Sequence, residues 1–308
     1  MRTTVGHFFY TNGGKDMDSM EPNQLKVPKT YEEQVSILKE RGLHIENEQK
    51  AIEVLKRINY YRLTAYGLTL KTSDKVDQFK SGISFEHILK LYEFDKELRL
   101  LLLDAIESIE TAFRAHIAYY HAHTYGAVAY KDPTHFKNET YHAKFLTNLE
   151  RSLKENEREL FVKHHHTKYQ SNFPIWVAVE VLSFSTLSMM FKNLHNQDKQ
   201  TISKEHYSMD FKYIESWLYT LTMIRNICAH HGRLYGKTLT IRPQVFANVK
   251  KELSNERIFI VFFIISKLLT SNERNVFVDK LTHLLDTYAA FIDYKQLGIP
   301  QRWKQYFE

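Results

Sequence analysis

The sequence predicts an all-α protein, on three observations. Glycine and proline are scarce, 10 and 6 among 308 residues, so few turns punctuate the chain. From Ser84 to Tyr125 neither occurs over 42 consecutive residues. Leu91, Phe94, Leu98, Leu101, Ala105, Ile109 and Ala112 recur there at helical spacing, and no stretch shows the two-residue alternation of a half-buried strand.

The elements follow in chain order. Residues 1–27 are polar, Gly-containing and aperiodic, which predicts a flexible N-terminal extension. Thr30-Tyr31-Glu32-Glu33 is a capping-box pattern that opens a helix closed by Gly42. A second helix is predicted from Asn47 to Leu68, and the polar stretch Lys71–Gly82 reads as a linker. Residues 28–82 thus form an N-terminal helical region, and residues 83–308 a second helical domain with C-terminal helices. The segment from Ser84 to Tyr125 would extend about 60 Å as one helix, or two with a kink, until Gly126 stops it. Helices are predicted next from Asn138 to His164 and from Trp176 to Leu194, the latter with Pro174 in its first turn. Asp210 caps another that runs through His231, with Gly232 as its stop. The last two lie near Ser254–Leu269 and Asn272–Ile292.

Bulk properties exclude several classes. The net charge of +6 is a mild bias towards polyanions and no more. A single cysteine, Cys228, excludes an intrachain disulfide and a cysteine-based zinc site. The start of the chain lacks the apolar core of a secretory signal. The most apolar run, Ile258–Ile265, falls far short of the roughly 20 residues that span a bilayer. A soluble, cytoplasmic protein without a membrane partner is expected.

One segment carries chemistry. At 100° per residue, Ile214, Trp217, Leu221, Ile224 and Cys228 fall on one arc of the Asp210–His231 helix, a core stripe. Arg225 lies at its edge, while Asn226 and His230, four apart, share the polar face. A regular helix therefore directs Arg225 and His230 roughly 140° apart. They converge on one phosphate only if the helix deforms or a second copy contributes. Metal-free RNA cleavage needs a base for the ribose hydroxyl and an acid for the leaving oxygen, roles that histidine fills near neutral pH. A guanidinium suits the charge that develops on the phosphorane.

Arg225-Asn226-x-x-x-His230 matches the Arg-x4-His signature of HEPN ribonucleases. The longer string from Arg225 through Ile227, Cys228, Ala229, His230, His231, Gly232, Arg233 and Leu234 to Tyr235 resembles the version found in the abortive-infection (Abi, AbiD/AbiF-like) family. Segments at Thr30–Gly42, Arg57–Leu63 and Pro174–Phe184 agree with it, so the resemblance covers about residues 25–300. It implies a HEPN-like helical bundle with additional N- and C-terminal helices, and a homodimer. It further implies a toxin-like ribonuclease in phage resistance, with RNA as target and an antitoxin, protein or small RNA, as partner. Arg225 and His230 carry over as catalytic, with Asn226 supporting. The family usually shows tryptophan where this chain has Tyr235. A non-catalytic RNA-binding or interaction module is the alternative.

Other residues admit plainer readings. His231, Arg233 and Tyr235 are candidates for RNA binding or support, with a structural ion pair the equal reading for Arg233. Glu107, Glu110, Arg114 and His116 place acid and base at helical spacings, the first three on one face; a structural salt bridge is the default, and a supporting partner for the active site, with Glu110 and Arg114 as its candidates, is the sharper reading. Cys228 sits on the apolar stripe, where cysteines are inert. His164, His165 and His166 point in divergent directions from a regular helix and cannot ligate one ion. Neither a metal nor a cofactor is expected. Tyr60 and Tyr61, between Arg57 and Arg62, read as core tyrosines before they read as a base-stacking surface.

Overall fold

The computed structural model describes Leu25, residues 27–73 and residues 76–307. The extension expected over residues 1–27 lies outside these, except for the exposed Leu25 and Val27. The chain divides into two compact units: one runs up to Asp95 and takes in Tyr288–Ile292, the other holds Lys96–Thr287 and Asp293–Glu308. Among the described residues there are fourteen α-helices and one two-stranded sheet. The all-α expectation holds.

In the first unit, α1 (Tyr31–Glu40) begins as its sequence dictates. The Thr30 hydroxyl accepts the Glu33 N–H, and the Glu33 carboxylate accepts the Thr30 N–H at 2.7 Å. Gly42 closes the helix with φ 81°. The helix expected from Asn47 to Leu68 is in fact broken: α2 (Glu48–Arg57), α3 (Tyr60–Thr64), then a 3₁₀ turn over Ala65–Leu70. The break has a local cause. Ile58 is extended, and the Asn59 side chain accepts the Tyr61 N–H, a bond that competes with helix continuation. The expected linker contains a short antiparallel hairpin, β1 (Lys71–Ser73) with β2 (Val76–Phe79). Arg41 holds it by an ion pair to Asp77 at 2.9 Å, and donates to Tyr60 Oη. The core reading of the two tyrosines holds in part for Tyr60, which is half-buried, and fails for Tyr61, which is 67% exposed.

A single unbroken α4 (Phe85–Tyr125) spans 41 residues and contains the boundary between the units. In the second unit it is followed by α5 (Glu139–Glu155), α6 (Leu160–Lys168), α7 (Ile175–Ala178), α8 (Phe184–Asn193), α9 (Asn196–Tyr207) and α10 (Phe211–Ala229). The helix predicted over Asn138–His164 is interrupted at Asn156, and the one over Trp176–Leu194 at Leu182–Ser183. α9 has no counterpart among the helices that the sequence predicts. After α10 come α11 (Ala247–Glu252), α12 (Phe259–Leu268), α13 (Ser271–Thr287) and α14 (Tyr294–Leu297). Residues Phe259 to Ile265 of α12 are all buried, so a helix apolar on every side sits in the middle of this unit. Among the described residues no helix is long and apolar enough to cross a membrane.

Two histidines of α4 stand out in this unit, His116 half-buried and His121 in the core. His116 is stacked on His206, ring centroids 3.6 Å apart, and its Nδ1 lies 3.2 Å from Tyr207 Oη. Burial and the adjacent His206 lower its pKa to about 4. His121 is fully buried, and neither ring nitrogen has a hydrogen-bond partner. It lies beside Tyr125 and His135, and burial followed by His135 lowers its pKa to about 4 against an opposing pull from Asp198. The unfolded chain binds protons at both sites near pH 6.5, whereas the folded one refuses them until about pH 4. Their contribution is therefore complete above pH 6.5 and is lost as pH falls towards 4. Melting temperatures measured from pH 7.5 to 4.5 should fall across this window, and His121→Phe should flatten the decline. A profile that is level down to pH 5 would show that neither ring resists protonation.

Candidate functional site

α10 positions the Arg225–His230 segment. The Asp210 carboxylate caps its start by accepting the Lys212 N–H at 2.8 Å. Ile214, Trp217, Leu221, Ile224 and Cys228 are each no more than 2% exposed, so the apolar stripe is core as its spacing predicted. Trp217 anchors it further by donating its indole N–H to the Gln244 carbonyl at 2.6 Å. With one face fixed in this way, the opposite face must look outwards. Arg225, Asn226 and His230 are all exposed. Cys228 is buried and plays no part on the outer face.

The end of the helix is a Schellman turn. The His231 N–H donates to the Cys228 carbonyl at 3.0 Å and the Gly232 N–H to the Ile227 carbonyl at 2.7 Å. The left-handed residue is therefore His231, with φ 56°, and not the glycine expected to stop the helix. Gly232 serves a different need. A Cβ there would meet Ile227 Cγ2 at 2.9 Å and the Ile227 carbonyl oxygen at 3.1 Å. A non-glycine residue in the left-handed region costs on the order of 1–2 kcal/mol, and such strain gathers where a side chain is needed in place.

Up to that turn the helix is regular: the His230 N–H still donates to the Asn226 carbonyl at 3.0 Å. No kink or bulge swings the motif round. Arg225 and His230 of one chain remain on different sides of α10, while Asn226 and His230 share a side.

The supporting residues separate by burial. Tyr235 is 1% exposed, and its hydroxyl accepts the Asp293 N–H at 2.9 Å, with burial raising its pKa to about 12. Its burial and its bond to Asp293 suit the supporting half of the expectation for Tyr235, a side chain that lies inside the fold. His231 is exposed and Arg233 half-buried. Glu110 and Arg114 form an ion pair within α4, and the Arg114 guanidinium also donates to the carbonyls of Val179 and, at 2.8 Å, Leu182. Those bonds tie α4 to the 3₁₀ turn that follows α7. They make the pair a structural brace, the default reading.

The three adjacent histidines of α6 diverge. His165 Nδ1 lies 2.8 Å from the Phe161 carbonyl and His166 Nδ1 2.8 Å from Ser171 Oγ. Among the described residues no group of three His, Cys, Asp or Glu side chains is placed to hold a metal ion. Sequence reasoning also missed a cationic pocket on the N-terminal half of α10, lined by Lys137, Lys192, Lys199 and Lys212.

A family model described as Abi-like protein matches residues 53–236, which takes in the whole of α10 and the turn after it. No curated protein and no solved structure matches the chain.

Proposed function

The chain belongs to the Abi-like protein family, and from that premise we propose that it is a metal-independent endoribonuclease of the HEPN kind, acting in bacterial defence against phage. One observation carries this reading: an arginine, an asparagine and a histidine suited to phosphoryl transfer stand exposed on the last turns of a helix whose other face is core. In the proposed reaction a neutral histidine takes the proton of a ribose 2′-hydroxyl. The freed oxygen attacks the adjacent phosphorus, and the bond to the 5′-oxygen breaks. That oxygen leaves with a proton from a second, protonated histidine. The products are a 2′,3′-cyclic phosphate and a 5′-hydroxyl end. Arg225 would hold the charge that builds on the phosphorane, and Asn226 would orient the His230 ring.

The regular helix supports a site shared between two copies. One His230 per chain supplies either the base or the acid, and Arg225 points elsewhere on the same chain. A two-fold pair would set two motifs face to face and complete the set. A neutralising partner, protein or small RNA, would then restrain the enzyme before infection.

The test is incubation of the purified protein with total RNA in EDTA, beside an Arg225→Ala/His230→Ala variant. Cleavage that survives EDTA, leaves cyclic phosphate ends and vanishes in the variant is expected. A requirement for magnesium, or equal cutting of DNA, would overturn the chemistry. RNA that is bound but never cut would make the protein a binding module instead.

A further inference from the structure

Beside the motif, and not explained by it, α10 carries a concavity of about 470 Å³ that four lysines line: Lys137, Lys192, Lys199 and Lys212. Among the described residues one carboxylate, Glu215, lines the concavity with them. Lys199 is 1% exposed and is held by its bond to Glu215 Oε2 at 2.5 Å, by the Lys192 carbonyl at 3.3 Å and by the Phe211 ring beneath it. Glu215 is thus taken up by the buried lysine, and the other three ammonium groups stand uncompensated by it. Burial lowers the Lys199 pKa, the Glu215 carboxylate pulls it back up, and Lys137 is near enough to add to the lowering.

The pocket is also built firmly. Asn193, 4% exposed, accepts the Asn138 N–H and donates to the Asn138 carbonyl, while its own carbonyl accepts the Lys137 N–H at 2.8 Å. The Lys137 backbone is thereby tied to the last residue of α8. On the far wall the Gln244 N–H donates to Ser216 Oγ and the Gln244 carbonyl accepts from Trp217. A rigid, concave, positively charged site selects an oxyanion, and cannot hold a cation.

We propose that this pocket binds a backbone phosphate of a single-stranded RNA that runs along α10 to the Arg225–His230 motif. The direction comes from the helix itself. At 100° per residue Lys212, Tyr219, Met223, Asn226 and His230 fall on one stripe, and Tyr219 and Met223 are exposed along it. Tyr219, at the rim of the pocket, lies about 16 Å along the axis from His230, a span of a few nucleotides. It offers an exposed ring on which a base between the two phosphates stacks. The pocket holds one phosphate and so sets which bond of the strand reaches the motif. Only the identity of the far end of the track rests on the ribonuclease reading.

The experiment measures binding without cleavage. The probe is a fluorescent 2′-O-methyl oligoribonucleotide of about a dozen residues, which has no free ribose hydroxyl to attack, followed by anisotropy at several salt concentrations. Lys137→Gln/Lys192→Gln should weaken binding at least about tenfold at low salt and reduce the salt slope by about one to two. Lys144→Gln/Lys163→Gln, which removes the same charge from exposed sites outside the pocket, should cost about threefold or less. Lys137→Arg/Lys192→Arg should retain affinity, and circular dichroism should show all three variants folded. Equal losses in the two glutamine variants would mean general charge attraction and overturn the site. Unchanged RNA binding in the pocket variant, together with loss of the thermal protection that inorganic phosphate or adenosine monophosphate gives the wild type, would assign the pocket to a free phosphate and overturn the strand. Pocket-dependent binding in a protein that proves unable to cleave RNA would sustain the strand track while the ribonuclease reading fails.

Discussion

Replacing His230 with alanine is expected to slow RNA cleavage by about 10²–10⁴-fold, the usual worth of a general acid or base. The substitution is otherwise mild, because the side chain is exposed and the backbone bond from the His230 N–H to the Asn226 carbonyl survives it. Far-ultraviolet circular dichroism and melting temperature should therefore match the wild type. Arg225→Lys should also be severely impaired, since a point charge does not reproduce the planar fork of guanidinium. Mixing separates a shared site from a private one. If two motifs must meet, equal amounts of wild type and His230→Ala, allowed to exchange subunits, should show roughly a quarter of the activity of wild type at the same total concentration, because both members must be intact. Retention of half, with each wild-type chain working alone, would sink the shared site.

The largest loss of stability is expected at Trp217. It is completely buried, touches Tyr213, Phe246 and Phe263, and donates a hydrogen bond to Gln244 at 2.6 Å. Trp217→Ala removes that bond and leaves a large cavity, at a cost of about 3–5 kcal/mol. Trp217→Phe keeps most of the volume and should cost appreciably less. Urea unfolding of the two variants beside the wild type measures both differences. If Trp217→Ala shifts the midpoint no more than an exposed substitution such as Lys144→Gln, the stripe is not the anchor of α10.

What a sequence discloses of its fold depends on the range of the interactions involved. The Thr30–Glu33 box and the α10 stripe were legible because each is a pattern within one helix. Local signals also broke the long helices, at Asn59 and at Ser183, but each was hidden inside a segment of helical composition. α9 was missed because its composition is polar, with Asp198 and Lys199 drawn inwards by partners on other helices: Tyr120 and Tyr125 for Asp198, Glu215 for Lys199. The left-handed His231 was illegible for another reason. A glycine stood next in line, and the usual preference at a helix end pointed to it. The motif residues of the candidate site were visible in one string, whereas the lysine pocket draws on positions as far apart as 137 and 212. No spacing announces such a cluster.

The central position of α12 bears on what can be excised from this molecule. The family match ends at Gly236, yet Phe263 of α12 and Phe246 before α11 form part of the wall against Trp217, and Tyr235 is tied to Asp293 nearer the C-terminus. A fragment ending at residue 236 would keep every atom of the Arg225–His230 string and expose the part of the apolar side of α10 around Trp217. Such a fragment should be insoluble when expressed alone, so the shortest useful piece for biochemistry extends past Asp293, well outside the stretch by which the family is identified.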